Sequence, residues 1–405
     1  MKRKHRLFDC AHKGSYTGGG RKCEAMPKVV LLRSNPVRPD PPVEKVADAL
    51  LAKGFEVTIV CWERGTSEDT VEDLTLQRGC TQVVRFGIPA IFGGGLKKNL
   101  KALATFQLRL FSWLKKNRET FDVIHSFDFD TGYVADKIAT KYQKKHVYHI
   151  LDFYVDSHGF SDGMLRKCLK SMEFGVINRA DATIICTEKR REQIEGSKPK
   201  RLSVIHNTPK PIDLPEEIGF PLPTNERCKI VYVGILTGGR LIPEVMDLVK
   251  NDDRLELHIG GFGQLEDTIR QQAQQCSRIV FYGKLQYAQT LALERACDIM
   301  TALYDPCIIN HRYAAPNKLY ESLMQGKPVI MAKNTGFDQV ILENEIGILI
   351  DYTPEGLKQG LEELLSKKSD WPAMSQRMKK LYGGVYGWPE MECRLLEIYE
   401  DVLGE

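Results

Sequence analysis

From Lys28 onward, short runs of β-branched and aliphatic residues alternate with segments of helical periodicity, and this alternation restricts the chain to parallel βαβ units. "KVVLLRS" is followed by the helical "VEKVADALLAKG" and then by "FEVTIVCW". The rhythm continues through "FDVIHSF", "HVYHILD", "ADATIICTE" and "RLSVIHN". Runs this continuously apolar are what strands covered on both faces require. A break follows at "TPKPIDLPEEIGFPLPTNE", where prolines 209, 211, 215, 221 and 223 fall close together. Proline lacks the donor that both ladders and helices use, so the stretch reads as an interdomain linker. Beyond it come "CKIVYVG", "RLELHIGG", "RIVFYG", "ACDIMTAL", "KPVIMAK" and "IGILID". The expected fold is α/β, with doubly wound domains over 26–208 and 228–387 joined by the linker 209–227. Ligands of such sheets sit beyond the carboxyl ends of the strands, here in the cleft between the halves. The last segment, 388–405, is read as a helix that either completes the second domain or crosses back onto the first.

Composition narrows the function. Of the net charge of +4, the first 25 residues supply +5, since Lys2, Arg3, Lys4, Arg6, Lys13, Arg21 and Lys22 face only Asp9 and Glu24. The remainder is near neutral, which gives no electrostatic reason to expect a nucleic-acid partner. Residues 1–25 are read as a disordered basic tail. No apolar run approaches the ~20 residues of a spanning helix, and the N-terminus lacks the apolar centre of a secretory signal, so a cytoplasmic protein is expected. The eleven cysteines are scattered and form no Cys-x-x-Cys pair, a pattern that suggests buried thiols.

The loop after the first strand, "RSNPVRPDPPVEK", lacks Gly-x-Gly-x-x-Gly, which argues against a nicotinamide or flavin enzyme. In the second half, "YVGILTGGR" places Gly234, Gly238 and Gly239 between a strand and a helix, with Arg240 at the helix start. Such glycines let backbone N–H groups approach a phosphate, and an arginine can fork onto it. "HIGGFGQLEDTI" repeats the arrangement with Gly260, Gly261 and Gly263. In "RYAAPNKLYESLMQGKPVIM", Pro316 reads as the opening of a helix. Lys318 then lies in the first turn, where the helix dipole disfavours a cation unless an anion is bound there. Lys318 and Glu321 have the spacing of a surface ion pair, and that is the plainer reading of both.

These segments, with "TGFDQVILENEIGILID", resemble the donor-nucleotide domain of retaining glycosyltransferases of family four, which have the GT-B fold of two Rossmann-like domains. "FDVIHS" and "VIHNTP" resemble the family's N-terminal half more loosely. The resemblance implies a nucleoside-diphosphate sugar as donor, a sugar or lipid-linked acceptor, and no cofactor or metal. By position, Arg240 and Lys318 would meet the diphosphate. The glycines, Pro316 and Asn317 would line the donor, and Glu321 would hold the ribose hydroxyls. The family's first glutamate is replaced by Tyr313, an expected arginine by Ile235, and the histidine of an expected His-Asp pair by Leu151. Asp152 keeps the carboxylate of that pair and, with His125 at the end of "FDVIHS", is a candidate for handling the acceptor hydroxyl. For both, a satisfied structural hydrogen bond is an equally good reading. Asp128 and Asp130 form an Asp-x-Asp to which no metal is assigned.

The segment "LKKNLKALATFQLRLFSWLKKNR", 96–118, is basic and contains no acidic residue. Leu96, Leu100, Leu103, Leu110 and Trp113 give it an apolar side that would lie either on the sheet or on an anionic membrane. The function expected from all this is retaining glycosyl transfer in polysaccharide, lipopolysaccharide or other glycoconjugate assembly. A catalytically silent nucleotide-sugar-binding or scaffold protein and a nucleotide-sugar epimerase are the alternatives.

Overall fold

The computed structural model describes residues 26–91, 95–214, 218–221, 224–314 and 316–404, the side chain of Lys97 excepted. The basic tail lies outside these residues, as do Pro215 and Pro223 of the linker. The N-terminal sheet comprises β1 Lys28–Arg33, β2 Glu56–Glu63, β3 Thr70–Thr75, β4 Cys80–Gly87, β5 Val123–Phe127, β6 Lys145–Ile150, β7 Ala182–Ile185 and β8 Leu202–Val204. Its order is β3-β4-β2-β1-β5-β6-β7-β8, with β3 antiparallel and the others parallel. The second sheet comprises β9 Cys228–Ile235, β10 Leu255–Phe262, β11 Ile279–Phe281, β12 Ile299–Ala302, β13 Val329–Ala332 and β14 Gly347–Ile350. It is parallel in the order β11-β10-β9-β12-β13-β14. Both orders reverse beside the first strand of the domain, which opens a crevice there.

The apolar runs named from the sequence are the strands of both sheets, but the β3–β4 hairpin was not anticipated. On β3 only Leu74 is buried. An edge strand wet on most of its surface has no continuous apolar run to reveal it.

The helix Trp388–Leu403 packs on the N-terminal domain. Trp388, Met391, Leu395, Ile398, Tyr399 and Val402 recur at helical spacing and join Val29, Leu31 and Ile59 in one core. The chain thus crosses from the second domain back to the first, and a further contact between the domains is made at His206, the hinge where the first domain leads into the linker. Its Nδ1 shares a 2.8 Å hydrogen bond with Tyr320 Oη, and its ring is surrounded by those of Phe337, Tyr386 and Tyr320. Burial holds His206 neutral, with a pKa near 3.

The basic helix, Gly95–Lys116, spends its apolar face on the sheet, where Leu103, Phe106, Leu110 and Leu114 are buried. Leu100 and Leu108 remain exposed on its outer side. Among the described residues, no helix is long and apolar enough to cross a membrane.

Leu395 is fully buried between the C-terminal helix and the first sheet. Leu395→Ala should therefore cost about 2–5 kcal/mol of N-domain stability, read as a lowered urea midpoint. An unchanged midpoint would mean that the helix is not part of this core.

Candidate functional site

The carboxyl ends of β1 and β6 face those of β9 and β12 across a cavity of about 600 Å³. Arg33, Asp152 and Arg190 reach it from the first domain, and Tyr232, Arg240, Tyr304 and Lys318 from the second.

Lys318 occupies the first turn of the helix Asn317–Gln325, with Pro316 as its cap and Gly326 closing it in the left-handed conformation. Tyr320, one turn inside the same helix, is fully buried against His206, so the hinge fixes the direction of the helix. Lys318 Nζ lies 4.7 Å from the centre of the Tyr232 ring. Among the described residues nothing gives this half-buried ammonium a hydrogen bond or an ion pair. Burial alone would lower its pKa, but the Tyr304 and Tyr232 phenols and the more distant Glu321 and Glu294 outweigh it, so the value lies above that of an ordinary lysine. The cation is thus retained, and it faces the cavity with its donors free.

Arg240 lies beside it, stacked on the Tyr304 ring with its guanidinium carbon 3.9 Å from the ring centre. Its Nη1 donates to Gly239 O at 3.0 Å and to His311 Nε2 at 3.0 Å. An arginine can only donate, so His311 Nε2 accepts and its Nδ1 carries the proton, which it gives to Asp305 O at 3.0 Å. Burial and the adjacent guanidinium hold the His311 pKa below the usual imidazole range. His311 therefore orients the arginine without adding charge.

The glycines divide by what surrounds them. A Cβ at Gly261 would stand 1.8 Å from Gly234 O, and one at Gly263 would stand 2.4 Å from Leu236 O. These two are required by the close approach of the chain at the carboxyl ends of β9 and β10. A Cβ at Gly234 would sit 2.6 Å from Lys318 Nζ and displace the ammonium. Gly239 turns at φ +76° beside Ile308 and Asp305. For Gly238 no described atom lies within 4 Å of the Cβ position, so the surrounding protein does not dictate a glycine there.

Asp152 reaches the cleft half-exposed, and its Oδ1 accepts from Arg190 Nη2 at 2.9 Å and from Asn310 Nδ2 at 3.2 Å. The second bond spans the two domains. The backbone N–H groups of Leu151 and Asp152 both donate to Asp128 Oδ1, while Asp128 Oδ2 accepts from Arg33 Nη1 at 2.5 Å. Asp128 is therefore a structural acceptor that holds the loop bearing Asp152.

Two expectations require correction. His125 does not point into the cleft. It is fully buried, bonded through Nδ1 to Tyr399 Oη at 2.8 Å and through Nε2 to His149 Nδ1 at 3.3 Å, and burial holds its pKa well below the usual value. His125 sits in the middle of β5, and the C-terminal helix covers that face of the sheet, which the sequence could not reveal. Nor do Lys318 and Glu321 form an ion pair: Glu321 is buried and turns to Glu294 and Tyr287 instead. Tyr313 lies on a neighbouring groove with Glu192 and Asp338. Asn317 is exposed and lines the cleft together with the half-exposed Ile235 and Leu151. Arg33, Arg190, Tyr304 and His311 were not anticipated, because each is a lone residue with no motif around it.

Family models match both halves, glycosyltransferase family 4 over residues 43–208 and glycosyl transferases group 1 over residues 227–367. No curated protein matches the chain. Among solved structures, sucrose-phosphate synthase from Thermosynechococcus elongatus superposes with a TM-score of 0.69 at 13% identity, covering 93% of this chain and 99% of that one. Anabaena Alr3699/HepE in complex with UDP gives 0.62 at 13% identity, covering 92% and 100%. A Listeria monocytogenes protein assigned as a UDP-N-acetylglucosamine 2-epimerase gives 0.59 at 17% identity, covering 94% and 97%. At these identities the likeness establishes the GT-B fold.

The contrast between glycines can be measured. Gly261→Ala should cost about 3 kcal/mol or more, because a backbone oxygen cannot move aside, whereas Gly238→Ala should melt like the parent protein. Similar melting of the two variants would show that the carboxyl ends of β9 and β10 are not in this contact.

Proposed function

Since the chain belongs to the glycosyltransferases, its N-terminal half to family 4 and its C-terminal half to group 1, we propose that it moves a sugar from a nucleoside-diphosphate sugar to an acceptor hydroxyl with retention of configuration. The observation that carries this reading is the unpartnered Lys318 ammonium in the first turn of a helix, sharing one cavity with Arg240. A helix N-terminus and two cations form a site for a diphosphate. As the glycosidic bond breaks, negative charge grows on the leaving phosphate, and preorganised cations stabilise that charge more than they stabilise the bound donor. Glu321 would take the ribose. Asp152, fixed by Arg190 and Asn310, would orient the acceptor hydroxyl toward the donor sugar. The complex of Alr3699/HepE with UDP supports a uridine nucleotide among the donors to be tried.

The acceptor is proposed to be a sugar or a lipid-linked sugar in glycoconjugate assembly, on the cytoplasmic side of a membrane. Exposed Leu100 and Leu108 stand among Lys98, Lys101, Lys115 and Lys116 on the outer face of the Gly95–Lys116 helix, and an anionic bilayer complements such a face.

A panel of nucleoside diphosphates and their sugars should raise the melting temperature for one base, since a ligand at ~100 times its dissociation constant adds ~2.7 kcal/mol. Product analysis with that donor separates the readings. A transferred sugar supports transfer, an altered nucleotide sugar formed without acceptor indicates an epimerase, and binding without any product indicates a silent protein. Lys318→Met should leave the melting temperature of the free protein nearly unchanged, because relief of up to ~1 kcal/mol of dipole repulsion is offset by the lost contact with Tyr232. Its kcat should fall by about 10²–10³-fold. A variant that melts much lower yet turns over normally would make Lys318 a structural cation.

Replacing Lys98, Lys101 and Lys115 by Gln should weaken sedimentation with anionic vesicles by about 1 kcal/mol per cation without changing the fold. Equal sedimentation of both proteins would limit the helix to packing on its sheet.

A further inference from the structure

Glu294 lies on the helix Tyr287–Ala296 and is 1% exposed, and neither of its carboxyl oxygens finds a donor among the described residues. Its neighbour is the carboxyl group of Glu321, which is 5% exposed and close enough for a side-chain hydrogen bond between the two. Two carboxylates cannot make that bond, because each only accepts. A single proton held between them satisfies both and removes one of two adjacent buried charges.

We infer that Glu294 is kept as the neutral acid and donates a hydrogen bond to the Glu321 carboxylate, acting as a positioning residue for the group proposed to hold the donor ribose. The inference rests on the donor reading of Glu321. Burial is the main force on both groups, and it pushes Glu294 well above the usual carboxylate range and Glu321 upward as well. Lys318, on the same helix as Glu321, acts against it and favours one ionised partner. The Tyr287 phenol lies near Glu321, with Tyr382 near that phenol and the Cys297 thiol near Glu294. The pair therefore holds one proton and one negative charge. Glu294, both of whose buried oxygens lack a donor among the described residues, keeps the proton, and Glu321, on the Lys318 helix, keeps the charge and the acceptor oxygens that two ribose hydroxyls need. A lone buried Glu321 could rotate or take up a proton itself, and either change would spoil that acceptor.

The sign of the pH effect follows. A carboxyl group whose folded pKa is raised contributes stability that is fully present below its unfolded value, near 4.5, and is lost as pH rises toward the folded value. The test uses Glu294→Gln, whose amide donates without titrating, and Glu294→Met, which cannot donate. Between about pH 5 and pH 9 the ligand-free wild-type protein should lose melting temperature relative to Glu294→Gln as pH rises. Superimposable pH profiles would show that no proton is shared. Calorimetry with UDP, ADP and GDP then reads the positioning role. At pH 7, Glu294→Gln should bind within about threefold of wild type, and Glu294→Met roughly tenfold or more weaker. The wild-type affinity should fall toward alkaline pH while that of Glu294→Gln does not. Equal losses in the two variants would make Glu294 a packing residue and overturn the inference. If none of the three diphosphates binds wild type, the donor reading falls and takes the positioning role with it. The melting profiles still decide the shared proton.

Discussion

A half-buried ammonium in the first turn of a helix, with no carboxylate or carbonyl among the described residues to meet it, is the constraint around which this cleft is organised. The dipole of the helix works against Lys318, yet its position is secured on every side. The Tyr232 ring lies under it, Gly234 leaves the space its Nζ occupies, and Tyr320 ties the same helix to His206 across the hinge. Among the described residues nothing occupies its donors, and the proposed diphosphate would. Arg240, stacked on Tyr304 and steered by a neutral His311, adds the second positive charge to the same cavity.

The two domains are held so that neither half of the site stands alone. The polypeptide crosses between them at the linker and again at the C-terminal helix, whose apolar stripe completes the first core. Asp152, on the first domain, accepts from Asn310 on the second. Asp128 and Arg33 support the Asp152 loop from below. The Asp152 carboxylate is therefore registered against the loop after β12, the loop that leads into the Lys318 helix.

Apart from β3 and β4, the strands of both sheets were legible because burial on both faces forces continuous apolar runs. The β3–β4 hairpin was not, because an edge strand with one buried residue, Leu74, leaves almost no pattern. Lys318 was legible through a local conflict, a cation where the helix dipole opposes one. Glu321 was placed on the right helix, but its neighbour Glu294, 27 positions earlier, is brought near only by the fold and leaves no local signal. His125 was misplaced because it lies in the middle of β5 rather than at its end, on a sheet face covered by Tyr399 from the far end of the chain. Arg190 and His311 carry no local signal, and their roles exist only through the groups they touch.

The most direct test is calorimetric titration of the wild-type protein with a nucleoside diphosphate and with the same nucleoside lacking its phosphates. If Lys318 and Arg240 await a diphosphate, two charge-assisted contacts of about 1.5–3 kcal/mol each should make the diphosphate roughly a hundredfold tighter or more. Equal affinity for the two ligands, or a nucleoside that binds while the diphosphate does not, would show that the cleft was not built around that anion.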